Sequence, residues 1–253
     1  MSPLDLARSY ATRMPSDQFF SHLTAAQLLG LPLSLKRGRD GTLHVSAFEP
    51  GRPPRMVGVV GHHVHPDSVS TVVRGGLRMS SPIDTWCQLS AILSLDELVY
   101  IGDFLVRRQN PLATVEELRA AVARCAGRRG ARRLRDALRL VRAGVDSPKE
   151  TELRLAIVRL GLPEPEVNVP ILNRYGAFIA FGDLVYRAYR ILVEYDGEQH
   201  FDDVSQYHRD IDRLDDVMED GWRVIRINKS HLRRPAVIDY KIRTALLAAG
   251  WHP

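Results

Sequence analysis

The sequence has few cysteines and no long apolar segment. Cys87 and Cys125 are its only two cysteines, and neither has a Cys or His nearby at zinc-ligand spacing. This excludes a disulfide-stapled framework and predicts a reducing, cytoplasmic location. No apolar run approaches the roughly 20 residues that span a bilayer. The first residues, MSPLDLARSYATRMPSDQFF, lack the apolar core of a signal peptide, so we expect no membrane partner.

The composition is that of a globular protein whose charge is divided unevenly. Of 253 residues, 45% are hydrophobic and 26% are charged, and no internal repeat or low-complexity segment interrupts them. Residues 1–145 carry 20 Lys and Arg against 12 Asp and Glu, whereas residues 146–253 carry 15 against 18. A net charge of +8 in one half and −3 in the other favours a basic module that delivers an acidic one to a polyanion.

The first half shows strand-like segments followed by helical periodicity. TLHVSAF, RMVGVV, VSTVV and LRMS, between residues 42 and 80, are separated by Pro and Gly and predict a small β-rich unit. From Ser81 the apolar period becomes helical, and Ser94 with Glu97 forms a capping-box pattern. We therefore predict an α+β domain over residues 1–145.

An arginine-rich segment closes that domain. RCAGRRGARRLRDALRLVRAG, residues 124–144, holds eight arginines against one acid. A helix here would bury a stripe of leucine, alanine and valine and would place four arginines on one exposed face: Arg132, Arg135, Arg139 and Arg142. Arginine binds phosphate oxygens in bidentate fashion, so this face predicts DNA binding. A solvated surface helix is the equally weighted alternative.

Three neighbouring histidines do not by themselves predict a metal site. Only two of His62, His63 and His65 share a strand face, and no Cys or His follows at zinc-site spacing.

The second half, residues 146–253, predicts the element order α-β-β-β-α-β-α. Ser147, Pro148 and Glu150 indicate a helix start, with Ser147 as N-cap. Three strand segments follow, then a helix over about residues 205–220, the strand WRVIRI and a final helix from Ala236 to Ala249. The pattern predicts an α/β domain.

Carboxylates on two adjacent strands are the centre of that domain. The segment FGDLVYRAYRILVEYDGEQH reads as two alternating strands, with Asp183 on the first and Glu194 and Asp196 on the second. A turn near Arg187 would place Asp183 diagonally across from Glu194, within roughly 7–8 Å. Three carboxylates beside apolar strands repel one another unless a cation lies between them, so we predict a divalent metal held by these residues.

Two other polar residues have competing interpretations. Glu150 completes the pattern of a capping box with Ser147, which explains it without a metal, or it contributes to the acidic site. His200 follows the second carboxylate strand and is either a general base, a phosphate contact or an ordinary polar residue.

The sequence of this half resembles one branch of a known nuclease superfamily. SPKETELRLAIVRLGLPEPEVNVPI, GDLVY, VEYDGEQH and QYHRDIDRLDDVMEDGWRVIRI, over roughly residues 146–235, are similar to endonuclease-like domains of the PD-(D/E)XK superfamily that are related to very-short-patch repair nucleases. SHLTAAQLLGLPL and GLRMSSPIDTWCQLS resemble, more loosely, the AbiEi family of type IV toxin–antitoxin antitoxins. The first resemblance implies a restriction-endonuclease-like αβββαβ core.

The resemblance also implies roles for individual residues. Asp183 corresponds to the metal-binding Asp and Glu194 to the first acid of the (D/E)-x-K element, while Asp196 occupies the lysine position. In this branch Glu150 and His200 belong to the same site. Without the lysine, water would be positioned by another group, for which the candidates are His200, Gln199, Arg209 or Arg213; the two arginines are also candidate DNA contacts.

The implied activity is Mg²⁺- or Mn²⁺-dependent hydrolysis of DNA phosphodiester bonds, in DNA repair or phage defence. The substituted lysine position keeps open a non-catalytic DNA-binding or antitoxin-type regulator, and a protein-interaction scaffold is a third reading. The resemblance also allows a homodimer and a toxin protein as partners.

Overall fold

The computed structural model describes residues 2–197 and 213–253. The chain divides into two compact units, unit 1 over residues 1–142 and unit 2 over residues 143–253. The division falls three residues before the boundary expected from the sequence. Within the described ranges, no helix is both long enough and apolar enough to cross a membrane.

Unit 1 contains a five-stranded mixed sheet in the order β3-β2-β1-β5-β4. Its strands are β1 (Gln18–Phe20), β2 (Leu43–Phe48), β3 (Val59–Val64), β4 (Thr71–Arg74) and β5 (Leu77–Ser80). The last four confirm the predicted β-rich segment. The central strand β1 was missed because three residues, all buried, are too few to show alternation.

Seven helices accompany this sheet in the described part of unit 1. They are α1 (Pro3–Ala11), α2 (His22–Leu29), α3 (Leu35–Gly38), α4 (Pro82–Leu89), α5 (Leu95–Leu105), α6 (Val115–Arg124) and α7 (Ala131–Leu140). The capping box of Ser94 and Glu97 is confirmed at the start of α5.

The arginine-rich helix is shorter than expected. The helix α7 ends at Leu140, so Arg142 lies beyond it and donates its backbone N–H to Asp103 instead of extending the helical face. Leu134 and Ala137 are fully buried, as the apolar stripe predicts. The prediction of four helical arginines is therefore wrong for Arg142, because the residue before it, Val141, adopts an extended conformation.

Unit 2 follows the predicted order of elements. It contains α8 (Pro148–Arg159), β6 (Glu166–Leu172), β7 (Phe178–Tyr186), β8 (Ile191–Asp196), the helical residues 213–219 (α9), β9 (Arg223–Asn228), the short α10 (Lys229–Leu232) and α11 (Pro235–Ala248). The sheet order is β6-β7-β8-β9, with β8 and β9 parallel and the other pairs antiparallel. The molecule thus has a mixed α/β architecture with a mixed sheet in each unit.

Apolar side chains cover both faces of the second sheet. One face packs its Leu184, Val193 and Ile227 against residues of α8 and α11. The other face packs Leu192 against Val217 of α9. Successive residues of a strand alternate between faces, so Glu194 and Asp196 follow Leu192 on the α9 side of β8.

Candidate carboxylate site

Three carboxylates from three elements of unit 2 interact with one another. Glu150 lies on the first turn of α8, Asp183 lies on β7 and Glu194 lies on β8. Glu150 and Glu194 are each only 7% exposed. The negative charges of both residues act on Asp183. The structure therefore joins into one cluster the two predicted strand acids and the acid whose role was left open.

Glu150 is not the partner of a complete capping box. Ser147 Oγ accepts the Glu150 N–H at 3.2 Å, as predicted. The Glu150 carboxylate, however, accepts from the backbone N–H of Asp146 at 3.1 Å and from the side-chain amide of Asn168 at 2.8 Å. The bond from the Glu150 N–H to Ser147 is therefore a helix cap. The bond from Asn168 of β6 to the Glu150 carboxylate instead orients that side chain toward the sheet.

Asn168 is a member of this site that the sequence did not reveal. Its side-chain amide donates to Glu150 and also to the carbonyl of Gly144 at 2.9 Å. Its backbone has φ +46°, in the left-handed region that Asn tolerates better than most residues. The only sequence signal was a polar residue within the apolar strand segment EVNVPI, and many surface strands share that feature.

The pairing of β7 with β8 positions Asp183. Leu184 pairs with Val193, so one further step of the antiparallel register brings Asp183 beside Glu194. Asp183 Oδ2 accepts the backbone N–H of Tyr195 at 3.0 Å. The paired residues run from Tyr186 and Ile191 to Leu184 and Val193, and the two acids follow directly after this ladder.

Gly182 makes this pairing sterically feasible. A Cβ atom on Gly182 would lie 2.6 Å from Leu192 Cδ1 and 2.8 Å from Ile171 Cδ1. Both distances are shorter than van der Waals contact, so an alanine at this position would force the ends of the Leu192 and Ile171 side chains to move.

Burial and charge give Asp183 an unusual affinity for a proton. Burial raises the pKa of Asp183 to about 7, and the negative charges of Glu150 and Glu194 act in the same direction. The N–H of Tyr195 and the guanidinium of Arg213 oppose this change. At neutral pH the cluster consequently attracts a proton or another cation.

Arg213 is the predicted arginine that the structure places in the cluster. It is the first described residue of α9, and its guanidinium lies 3.1 Å from Glu194 Oε1 and 3.2 Å from the carbonyl of Phe181.

Asp196 is held by a different cation. Its Oδ2 lies 3.0 Å from a guanidinium nitrogen of Arg226 on β9, and both side chains are partly exposed. His200, Gln199 and Arg209 lie outside the described residues, as does the first part of the predicted helix. Their predicted roles stay predictions.

Four of the arginines predicted to bind DNA belong to unit 1, and Arg142 among them lies beyond the end of α7. Arg132 and Arg135 are exposed on α7, and Arg139 forms an exposed pair with Asp136 at 3.4 Å. Arg133, which the prediction left out, instead donates to the carbonyls of Ser90 and Leu93. Its role is to join α7 to the segment after α4.

The second unit thus brings three carboxylates and one guanidinium together beside its sheet. No protein family model matches the sequence. The chain is similar to two uncharacterized proteins of Mycobacterium tuberculosis, MT2308 of strain CDC 1551 / Oshkosh and Rv2248 of strain ATCC 25618 / H37Rv. Each is 27% identical over 212 residues, which cover 83% of this chain and 74% of the relative. The aligned length exceeds that of either unit, so the similarity includes parts of both.

Proposed function

We propose that unit 2 is a metal-dependent endonuclease domain of the PD-(D/E)XK type, which hydrolyses phosphodiester bonds of DNA with Mg²⁺ or Mn²⁺. The observation that carries the proposal is the cluster of Glu150, Asp183 and Glu194, in which the pKa of Asp183 is raised to about 7. The order of elements in unit 2 and the resemblance of residues 146–235 support the same fold type.

The charge of the cluster fits a divalent cation. Three ionised carboxylates carry −3, and Arg213 supplies +1, so the described groups leave a charge of −2. Carboxylate oxygens are the ligands that Mg²⁺ and Mn²⁺ prefer. Glu150, Asp183 and Glu194 would hold the ion, which would activate a water molecule and neutralise charge on the phosphate. Metal binding would displace the proton that Asp183 retains near neutral pH.

The residues around the acids have separate tasks in this proposal. The Asn168 amide and the Asp146 N–H hold the Glu150 carboxylate in one orientation. The Tyr195 N–H does the same for Asp183. Arg213 contacts a phosphate oxygen of DNA and offsets its charge. Carboxylates held in place, together with the guanidinium of Arg213, suit a reaction in which negative charge builds on phosphate.

A second candidate function is a DNA-binding regulator that lacks catalysis. Asp196 stands at the position where the superfamily has a catalytic lysine. The favouring observation is that Asp196 forms an ion pair with Arg226. In this case the Glu194–Arg213 pair is a structural contact, and the AbiEi-like first half carries the function with DNA or a toxin as partner.

The test is cleavage of supercoiled plasmid with Mg²⁺ or Mn²⁺, combined with calorimetric measurement of metal binding. We expect wild-type protein to nick the plasmid and to bind about one ion per acidic cluster. The Asp183→Asn, Glu194→Gln double variant should lose both properties. Asp215→Asn is the matched control, because Asp215 is an exposed acid of α9 and its change removes one negative charge outside the cluster.

The outcomes separate the two candidates. Metal-dependent nicking by wild type and the control, but not by the double variant, supports the nuclease. Salt-sensitive DNA binding without cleavage, and without metal binding, refutes it and supports the regulator. Equal nicking by wild type and the double variant also refutes the proposed site, since cleavage would then not depend on its carboxylates.

A further inference from the structure

Three histidines of unit 1 bring their rings together. His22 is the first residue of α2, His44 lies on β2 and His62 lies on β3. The parallel strands β2 and β3 pair Ser46 with His62. Residues 44 and 46 of a strand point to one face, so His44 and His62 are neighbours on the same face of the sheet. His22 reaches them from the start of the helix.

The ring nitrogens are close enough to share an ion. His44 Nδ1 lies 3.0 Å from His62 Nε2. One nitrogen from each of the three rings lies within 4.8 Å of the others. In a tetrahedral zinc site with Zn–N bonds of about 2.0–2.1 Å, two ligand nitrogens lie about 3.3 Å apart. The three rings are stacked with interplanar angles of 12–29°, so each ring must turn its nitrogen lone pair toward a common centre to form a site.

We propose that His22, His44 and His62 bind a divalent transition metal of the zinc class. Imidazole nitrogen suits zinc, nickel, copper and cobalt, whereas magnesium prefers oxygen ligands. The ligand set contains no carboxylate, so the site differs in metal preference from the acidic cluster of unit 2, and it does not depend on the nuclease proposal.

The local structure holds two of these histidines in place. His22 has φ +49°, a conformation that is uncommon for a residue with a side chain. Its ring Nδ1 lies 2.9 Å from Ser21 Oγ, and its backbone N–H donates to Gln88 at 3.0 Å. The backbone N–H of His44 donates to Thr24 Oγ1 at 2.8 Å. Such outer contacts orient metal ligands, and the backbone conformation of His22 turns its ring toward the other two.

A hydrogen bond between two imidazoles explains only part of this arrangement. It accounts for the contact of His44 with His62. It does not account for His22, whose ring stacks on that of His62 with centroids 3.8 Å apart.

A cavity of about 480 Å³ borders the cluster and is lined by both His22 and His62. Three protein ligands and an open side are the arrangement of zinc sites that take a solvent molecule as fourth ligand. Cys87 and Cys125 line the same cavity. Their thiols are therefore the ligands that an experiment must distinguish from the imidazoles.

The test uses the full chain, freed of metal by chelation and titrated with Zn²⁺ and with Co²⁺. We expect about one tightly bound ion per chain and a cobalt absorption spectrum typical of nitrogen and oxygen ligands. His62→Asn and His22→Asn should each weaken binding by at least about tenfold. Asparagine tolerates the backbone conformation of His22. His63→Asn is the matched control, because His63 lines the same cavity but is not one of the three residues whose ring nitrogens converge.

Three results of the metal titrations with wild type and His62→Asn would overturn the site. They are the absence of Zn²⁺ and Co²⁺ binding by wild type, a thiolate-type cobalt spectrum, and equal affinities for wild type and a folded His62→Asn variant. If both histidine variants fail to fold, the spectrum and stoichiometry of the wild-type protein still decide the question, since they report the ligand type directly. Loss of binding in His63→Asn alone would also contradict the assignment.

Discussion

Replacing Asp183 by asparagine should stabilise the protein at alkaline pH. Its pKa is about 7 in the folded state and 3.8 ordinarily. The folded state therefore holds the proton more tightly than the unfolded state, and stability falls as pH rises from about 4 to about 7. Each pKa unit corresponds to about 1.4 kcal/mol, so the fall between about pH 5 and pH 7 amounts to about 3 kcal/mol. Partial exposure of Asp183 reduces the expected value to about 2 kcal/mol.

Asparagine has nearly the same shape as aspartate and keeps an oxygen that accepts the Tyr195 N–H. We expect the variant to gain about 2 kcal/mol of unfolding free energy relative to wild type between about pH 5 and pH 8. Urea unfolding at the two pH values measures this difference, and the exposed Asp215→Asn should show none. A pH-independent difference, or a larger loss of stability at the higher pH, would refute the charge-crowding argument.

Three further predictions follow from single contacts. Glu150→Gln should lower metal affinity and cleavage with little change in melting temperature, since Gln still accepts the N–H bonds at this position. A large drop in melting temperature with activity retained would make Glu150 a structural residue and not a metal ligand. Arg132→Ala with Arg135→Ala should reduce the slope of log affinity for DNA against log salt by about 2, and an unchanged slope would remove α7 from DNA binding. Gly182→Ala should destabilise unit 2 by about 1–3 kcal/mol in urea unfolding. Gly197→Ala, whose Cβ would meet no atom closer than 3.9 Å, should be neutral; equal effects would contradict the steric argument.

The order of elements in unit 2 could be predicted because its signals are local. Ser147 caps α8, and alternation marks β7 and β8, so each element is recognisable within about ten residues. The same locality explains the error at α7. Arginine and valine are compatible with a helix, and a bond from the Arg142 N–H to Asp103, 39 residues away, accompanies the end at Leu140.

The composition of the sites was predictable only where their members are neighbours in sequence. The sequence by itself determined that Asp183 and Glu194 lie on adjoining strands, because the short connection between them leaves few registers. Only the tertiary structure decided that Glu150 contacts Asn168 rather than closing a capping box. It alone also brought His62 to His22 and His44 instead of to its chain neighbours. Local patterns specify strands and helices, whereas packing of the whole unit specifies which side chains meet.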